Sequence, residues 1–379
     1  MRKARLAVLS LTLAGTLAGV MLWAQQGPKK EGSETVSRPR KKSGEATAPP
    51  EEQAPIPSRI RKKGQELPEG LPSFKSEVNQ VSVEIAVLDN RGRFIPGIPR
   101  GNFRILEDGV PQQIAGFQMG EAPMTIALVI EFSNLWQSYW SQGWFETLQA
   151  TYGFVETLKP EDYVAVVAFD LRPEILSDFS NNRQQTGAAL QRMRIAAFRE
   201  SNMYDALVDT AERMSEIEGR KAILYIGSGF DTFSKMTFDQ CRKRLQAAGV
   251  PIYSLSILQA FREILDARGW IPPEGRLDFL QADNQLRTFS KETGGMAFFP
   301  RFFGEYPNIF QAIQYSLRNQ YTVLYSPTNA ARDGKFRKIK VELVNPATNE
   351  PLKVTDEKGK PIKYQVLAKQ GYTAPREVE

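Results

Sequence analysis

The sequence predicts an α/β fold, in which a doubly wound, mostly parallel sheet is flanked by a small antiparallel β-sandwich built from both chain ends. Between residues 124 and 318, short apolar runs alternate with helical patterns, as in parallel strands joined by crossover helices. Before and after this region, apolar residues recur at every second position, which is typical of half-buried strands.

Strand patterns begin near residue 81. Residues 81–87 alternate apolar and polar side chains, and Asp108-Gly109 separates two further apolar runs at 103–107 and 113–117. An Asp-Gly pair between two such runs is a strong hairpin signal. We therefore expect a small N-terminal β unit over residues 76–120.

The α/β body is expected over residues 121–320. Residues 125–130 are almost continuously apolar and rich in β-branched side chains, as a strand covered on both faces requires. Further strands are predicted at 163–169, 222–226, 251–257 and 296–299, and helices at 140–158, 183–193, 203–217, 238–248, 277–293 and 306–318. Residues 259–277 are predicted to form a long loop, and long loops in compact domains are often functional.

Strand patterns return after the body. Residues 321–325, 339–343 and 364–367 favour strands, so a C-terminal β unit is expected over residues 321–379. Because each β unit is too small to bury much alone, we expect the two to pack as one sandwich. Two separate β-extensions are the alternative.

Residues 1–24 are predicted to be a signal peptide or an N-terminal anchor. Arg2, Lys3 and Arg5 precede an apolar run that is typical of an export signal. Cleavage after Ala24 and retention in the membrane both fit this run. Residues 25–75 are rich in proline and charge and are predicted to form a disordered tether. The protein is therefore expected to be exported: periplasmic, envelope-associated or secreted.

The positive charge lies in the N-terminal segment. The net charge is +6, but residues 1–75 hold 14 Lys and Arg against 7 Glu, so the remainder carries −1. Nucleic acid is not an expected partner, because the predicted folded part has no basic excess to neutralise phosphates. The N-terminal segment offers a contact to an anionic membrane or envelope surface, and a solvated spacer is the alternative.

The residue types argue against catalysis. The chain has no histidine, which excludes Ser-His-Asp and Cys-His catalysis as well as histidine-ligated metals. Its one cysteine, Cys241, excludes a disulfide within the chain. The sequence contains neither a Ser-x-x-Lys motif nor a phosphate-binding Gly-x-x-x-x-Gly-Lys-Ser/Thr motif. We expect a non-enzyme, and a hydrolase using two carboxylates is the disfavoured alternative.

Oxygen-bearing side chains follow the first strand of the body, where Glu131 and Ser133 come directly after the apolar run. Ligands bind at the carboxyl ends of parallel strands in open α/β sheets, so these residues mark a candidate site. The run resembles the start of the metal-ion-dependent adhesion site of von Willebrand factor type A domains, Asp-x-Ser-x-Ser. Glu131 stands in place of the Asp, Ser133 matches, and Leu135 replaces the second Ser.

Two later loops extend the resemblance. Residues 201–206, Ser-Asn-Met-Tyr-Asp-Ala, are similar to the family's second loop, with Ser201 in place of Thr. In the third loop Gly227 stands where the family has Asp, and Asp231 is the nearest carboxylate that could substitute. The resemblance implies a von Willebrand factor A-like fold with a degenerate metal site, whose ligands would be Glu131, Ser133, Ser201 and Asp231.

No cofactor is expected beyond weak binding of Mg²⁺ or Ca²⁺. Mg²⁺ prefers a near-octahedral shell of oxygens, and Leu135 and Gly227 remove two of the usual ligands. The alternative is structural: Glu131 would accept backbone hydrogen bonds, and Ser133 would cap the following helix.

The β flanks resemble one group of proteins. Residues 94–98, 102–109, 332–341 and 371–375 are similar to segments of exported bacterial proteins, abundant in acidobacteria, that carry a von Willebrand factor A-related domain. This resemblance implies a cell-envelope or secreted binding protein and does not identify its ligand. We expect a non-catalytic binding or adhesion function with a protein partner. The alternative is a cell-envelope scaffold or assembly subunit that acts through its β flanks.

Aromatic residues gather beside the candidate site. Trp136, Trp140 and Trp144 are spaced by four, so on a helix they share one face that would pack on the sheet. The alternative places Trp136 in the loop as part of a recognition surface, where it lines one exposed apolar patch with Trp270. The partner face predicted on this alternative comprises Asn134, Leu135, Trp136, Tyr139, Gly227, Ser228 and Trp270.

Overall fold

Strands and helices alternate through the middle of the chain. A computed structural model describes residues 80–376 except 91, 135–140, 194–197, 218 and 356–358, so the predicted signal or anchor and the predicted tether lie outside the described residues. The strands are β1 (Val81–Asp89), β2 (Phe103–Glu107), β3 (Val110–Gln112), β4 (Ile114–Gly120), β5 (Met124–Glu131), β6 (Tyr163–Phe169), β7 (Pro173–Ser180), β8 (Arg220–Gly227), β9 (Ile252–Ser256), β10 (Ala297–Phe298), β11 (Gln320–Tyr325), β12 (Phe336–Leu343), β13 (Val354–Thr355), β14 (Pro361–Ile362), β15 (Tyr364–Leu367) and β16 (Gly371–Thr373). The helices are α1 (Ser141–Glu156), α2 (Arg183–Arg192), α3 (Met203–Ser215), α4 (Phe238–Ala248), α5 (Leu258–Ala267), α6 (Pro273–Thr293) and α7 (Tyr306–Arg318). Within the described ranges, none of these helices is long and apolar enough to span a bilayer.

Six strands form one sheet in the order β10-β9-β8-β5-β6-β7. β5 pairs in parallel with β6 and β8, and parallel pairing continues through β9 to β10. β7 runs antiparallel at the edge beside β6. The chain adds strands on one side of β5 and then returns to add β8 on its other side. This reversal creates a switch point at the carboxyl ends of β5 and β8.

Helices cover both faces of this sheet. On one face, Leu128 and Leu224 share an apolar core with residues of α1, α2 and α7. On the other, Val129 and Ile223 share a core with residues of α3, α4 and α6. Because side chains alternate along a strand, the central strands must be apolar on both faces, as their sequences are.

The two chain flanks share a β-sandwich. One antiparallel sheet has the order β15-β1-β11-β4, and the other has the order β16-β12-β2-β3. Val83, Ile105, Tyr321 and Ile339, which come from four different strands, belong to one apolar core. The α/β body joins this sandwich through neighbouring strands, because β4 precedes it, β11 follows it, and the two strands pair. The mixed α/β fold predicted from the sequence is confirmed.

The predicted hairpin turns at Asp108 and Gly109, whose φ angles are 49° and 85°. A two-residue turn with positive φ at both positions matches the twist of paired strands. The chain after this turn divides between the two sheets: β3 pairs with β2, whereas β4 crosses over and pairs with β11.

The prediction of a long loop over residues 259–277 is wrong. α5 occupies Leu258–Ala267, and α6 begins at Pro273. The two prolines at 272 and 273 suggested a loop, but proline is favourable in the first turn of a helix, where its missing N–H costs nothing. The edge strand β7 was not predicted, because it mixes polar and apolar residues without a clear period.

A buried carboxylate fixes the amino end of the central sheet. Asp162, which is 0% exposed, accepts a hydrogen bond from the Met124 N–H at 2.9 Å and one from the Lys159 N–H at 2.8 Å. It also accepts one from the Arg318 guanidinium at 2.6 Å. Met124 begins β5 and Arg318 ends α7. One side chain therefore holds both junctions between the α/β body and the sandwich.

We expect Asp162→Ala to lower the free energy of unfolding by about 3–5 kcal/mol, because it leaves the buried Arg318 guanidinium without its carboxylate. Urea unfolding measures this loss. Glu121→Ala is the control, since it removes an ion pair with Lys159 that is exposed on both sides, and it should change stability little. Equal losses of unfolding free energy in the two variants would contradict the role assigned to Asp162 in holding the junctions.

Candidate functional site

The carboxyl ends of β5, β6, β8 and β9 lie at one edge of the sheet, because these strands are parallel. Glu131 ends β5, Gly227 ends β8 and Ser256 ends β9. We call residues 131–134, 198–202 and 228–234 the strand-end loops. These loops contain all four predicted metal ligands.

Glu131 connects the first and third strand-end loops. Its side chain is 2% exposed. One carboxylate oxygen, Oε1, accepts a hydrogen bond from the Ser133 hydroxyl at 2.8 Å, and the other, Oε2, accepts one from the Ser228 N–H at 2.6 Å. The carboxylate therefore holds the end of β5 against the loop that leaves β8.

Ser201 connects the second and third strand-end loops. Its hydroxyl donates to the Phe230 carbonyl at 2.8 Å, and its N–H donates to the Thr232 hydroxyl at 2.8 Å. Its carbonyl accepts from the Thr232 N–H at 2.8 Å. Ser201 is buried and reaches the far part of the loop whose beginning Glu131 holds.

The Asp231 side chain forms hydrogen bonds at the start of α3. Its carboxylate accepts hydrogen bonds from the Tyr204 N–H at 3.1 Å and from the Ser234 hydroxyl at 2.5 Å. Burial raises the pKa of Asp231, although its hydrogen bonds with Ser234 and the Tyr204 backbone act in the opposite direction. An acidic side chain at a helix start also fits the helix dipole.

A tyrosine lies on the sheet beside Glu131. Tyr225, in β8, is fully buried, and its hydroxyl accepts a hydrogen bond from the Gly229 N–H at 2.9 Å. Sequence reasoning missed this residue. The available signal was its position two residues before Gly227, which places both on one face of the strand.

The residues do not fit a divalent cation. The oxygens of Glu131, Ser133 and Ser201 already take part in hydrogen bonds within the protein, and Gly227 offers no side-chain ligand. In the part of the chain that the structure describes, no three His, Cys, Asp or Glu residues group closely enough to hold a metal ion. The one carboxylate in this set accepts hydrogen bonds through both oxygens, so a cation would have to compete with the Ser133 hydroxyl and the Ser228 N–H for them.

Some residues of the predicted partner face are exposed and others are buried. Trp270 is 64% exposed, with the Arg268 guanidinium 4.9 Å from its ring centroid, and Asn134 is partly exposed. Gly227 and Ser228 are buried. Leu135, Trp136 and Tyr139 lie outside the described residues, so a patch shared by Trp136 and Trp270 stays a prediction.

Several exposed apolar side chains lie on the strand-end loops or on the segments that follow them. Within the described residues, the large apolar side chains exposed on the segments that follow β8, β9 and β10 are Phe233, Ile264, Trp270, Leu277, Leu280 and Phe302. Phe198 is exposed in the second strand-end loop. The third loop packs on α6, where the rings of Phe230 and Phe279 lie 5.8 Å apart. This contact joins the loop to the helical hairpin formed by α5 and α6.

A cleft of about 930 Å³ opens beside the same loop. Its walls come from the β6–β7 connection, α3, the third strand-end loop and α4. Phe233 and Met236 supply apolar surface, and Asp205, Lys235 and Lys243 supply charge. The cleft is therefore lined by both apolar and charged side chains.

No family model and no curated protein matches the chain. Among solved structures, proximal thread matrix protein 1 from the mussel byssus is similar at 12% identity, over 56% of this chain and 51% of that chain, with a TM-score of 0.41. The vWF domain of the type V pili tip protein Mfa5 from Porphyromonas gingivalis is similar at 11% identity, over 52% of this chain and 97% of that chain, with a TM-score of 0.38. An aerotolerance-related membrane protein from Bacteroides fragilis is similar at 13% identity, over 51% of this chain and 98% of that chain, with a TM-score of 0.38. The chain thus spans about half the length of the mussel protein.

We expect Glu131→Ala to destabilise the protein by about 2–4 kcal/mol, because the Ser133 hydroxyl and the Ser228 N–H both lose their acceptor in a buried setting. Glu131→Gln keeps one acceptor oxygen and should cost about half as much. Urea unfolding compares the two variants. A loss below about 0.5 kcal/mol for Glu131→Ala would mean that the carboxylate does not hold the loops.

Proposed function

We propose that this chain is a non-catalytic, extracytoplasmic binding protein of the adhesion type, built on a von Willebrand factor A-like body. It binds a protein partner through the face at the carboxyl ends of the parallel strands. The proposal includes export to the periplasm, the cell envelope or the medium, and contact of the basic N-terminal segment with a membrane or envelope surface.

The exposed apolar side chains at this face carry the proposal. Leu277 and Trp270 are 66% and 64% exposed, and Phe233, at the cleft, is 53% exposed. Large exposed apolar patches are uncommon on monomeric proteins and mark interaction surfaces. Aromatic anchors beside a cleft are typical of the residues that dominate binding energy.

A non-catalytic role agrees with the chemistry of the strand-end loops. The carboxylates of Glu131 and Asp231 accept hydrogen bonds from neighbouring protein groups. Each therefore holds a loop or a helix start in place. A general acid or base needs to reach a reacting group instead.

The β-sandwich offers a second candidate surface. Val110, Met119 and Phe336 are exposed on strands of the two antiparallel sheets. Edge strands present unpaired backbone groups that a partner strand can join. These residues favour the alternative function, in which the protein is an envelope scaffold or assembly subunit acting through its β flanks.

Photo-crosslinking of the full chain in the cells that encode it tests the proposal. A p-benzoylphenylalanine residue replaces Leu277 in one variant and Met119 in a matched control, since both side chains are exposed. We expect a discrete, protease-sensitive adduct from position 277 and none from position 119. Adducts from position 119 alone would favour the scaffold, and no adduct from either position would contradict protein binding.

Once the partner is captured, Trp270→Ala should weaken its binding by about 10-fold or more, as the loss of an aromatic anchor usually does. Surface plasmon resonance with the purified partner measures the change. Phe336→Ala is the control on the sandwich and should leave the affinity unchanged. Equal effects of the two substitutions would argue against the strand-end face.

A further inference from the structure

Tyr225 and Gly227 share a face of β8 and fit together. A Cβ atom added to Gly227 would lie 2.7 Å from the ring carbon Cζ of Tyr225 and 2.9 Å from the Cβ of Glu131, and still closer to the Tyr225 hydroxyl. Real Cβ atoms do not approach other atoms so closely, and both neighbours are fully or almost fully buried. Glycine is therefore required at position 227 while tyrosine occupies position 225.

The Tyr225 side chain is held firmly in this position. Its ring packs in the core of one sheet face, 6.0 Å from the ring of Phe169. Its hydroxyl accepts the Gly229 N–H, so it supports the third strand-end loop directly. Burial first, and the Glu131 charge second, raise the pKa of Tyr225 well above its ordinary value, so the phenol stays neutral.

Glu131 and Tyr225 hold adjacent parts of the same loop. Glu131 accepts the Ser228 N–H, and Tyr225 accepts the Gly229 N–H. Two successive backbone donors are thereby satisfied by side chains from two neighbouring strands. A cation bound at this edge would have to compete with the Ser133 hydroxyl and the Ser228 N–H for the Glu131 oxygens.

We propose that Tyr225, Gly227 and Glu131 form a metal-independent closure, in which the tyrosine occupies the space of a side chain at position 227 and the loops are fixed by contacts within the protein, without a cation. The face at this edge then has the same structure with and without divalent cations. This inference concerns the closure itself, and it holds whichever partner the face binds.

A double-mutant cycle tests the steric part. We expect Gly227→Asp to lower the thermal midpoint of the full chain by about 5 °C or more, because the added side chain overlaps the Tyr225 ring. Tyr225→Leu opens that space, so the double variant should lose less than the sum of the two single losses. Gly101→Asp, at an open position, is the control and should have little effect.

Additive losses in the cycle, or a Gly227→Asp variant as stable as the Gly101→Asp control, would overturn the proposal. If Gly227→Asp does not fold, Gly227→Ala takes its place in the cycle, with the same expectation on a smaller scale.

Cation dependence is the second readout. The midpoint of the unaltered chain should differ by less than about 1 °C between 5 mM Mg²⁺, Ca²⁺ or Mn²⁺ and EDTA, because a site that binds no cation gains no stability by mass action. A rise of several degrees that Glu131→Gln abolishes would show a cation at this edge, and it would overturn the proposal.

Discussion

The Glu131 carboxylate is the constraint on which the strand-end face depends. It lies at the end of a central strand of the mostly parallel sheet, where the loops from neighbouring strands converge. A buried carboxylate is costly unless donors surround it. Here the donors are the Ser133 hydroxyl and the Ser228 N–H, which belong to two different loops. The hydrogen bonds that satisfy this one carboxylate therefore fix the first and third strand-end loops relative to each other. The second strand-end loop joins them because the Ser201 hydroxyl donates to the Phe230 carbonyl in the third loop.

A buried carboxylate holds separate segments together at each end of the sheet, with different consequences. At the amino end, Asp162 accepts hydrogen bonds from the start of β5 and from the end of α7, so the inserted body is fixed to the sandwich. At the carboxyl end, Glu131 accepts hydrogen bonds from two strand-end loops. Apolar side chains of the α5–α6 hairpin are exposed beside these loops. Rigid support beneath an exposed apolar surface reduces the ordering cost of binding.

The sequence predicted much of this arrangement because periodicity reports burial directly. The apolar run of β5 and the residues that end it placed Glu131 and Ser133 at the strand end, and parallel pairing brought Gly227 beside them. The reason for Gly227 could not be read from the chain, since it depends on where the Tyr225 ring lies in three dimensions. Asp231 was chosen for its proximity in sequence, whereas the loop turns it toward α3. The α5 helix was missed because the prolines at 272 and 273, which follow it, suggested a loop, and because its own apolar residues are only partly covered.

The central claim is that hydrogen bonds within the protein, and no cation, hold the strand-end loops together. Anomalous diffraction from crystals soaked in millimolar Mn²⁺ tests this most directly. The account predicts no anomalous peak within about 3 Å of the Glu131 carboxylate, a distance that would include any directly bound cation. It also predicts that the Ser228 N–H still donates to Glu131. A peak ligated by Glu131 and Ser133, with that hydrogen bond broken, would contradict it.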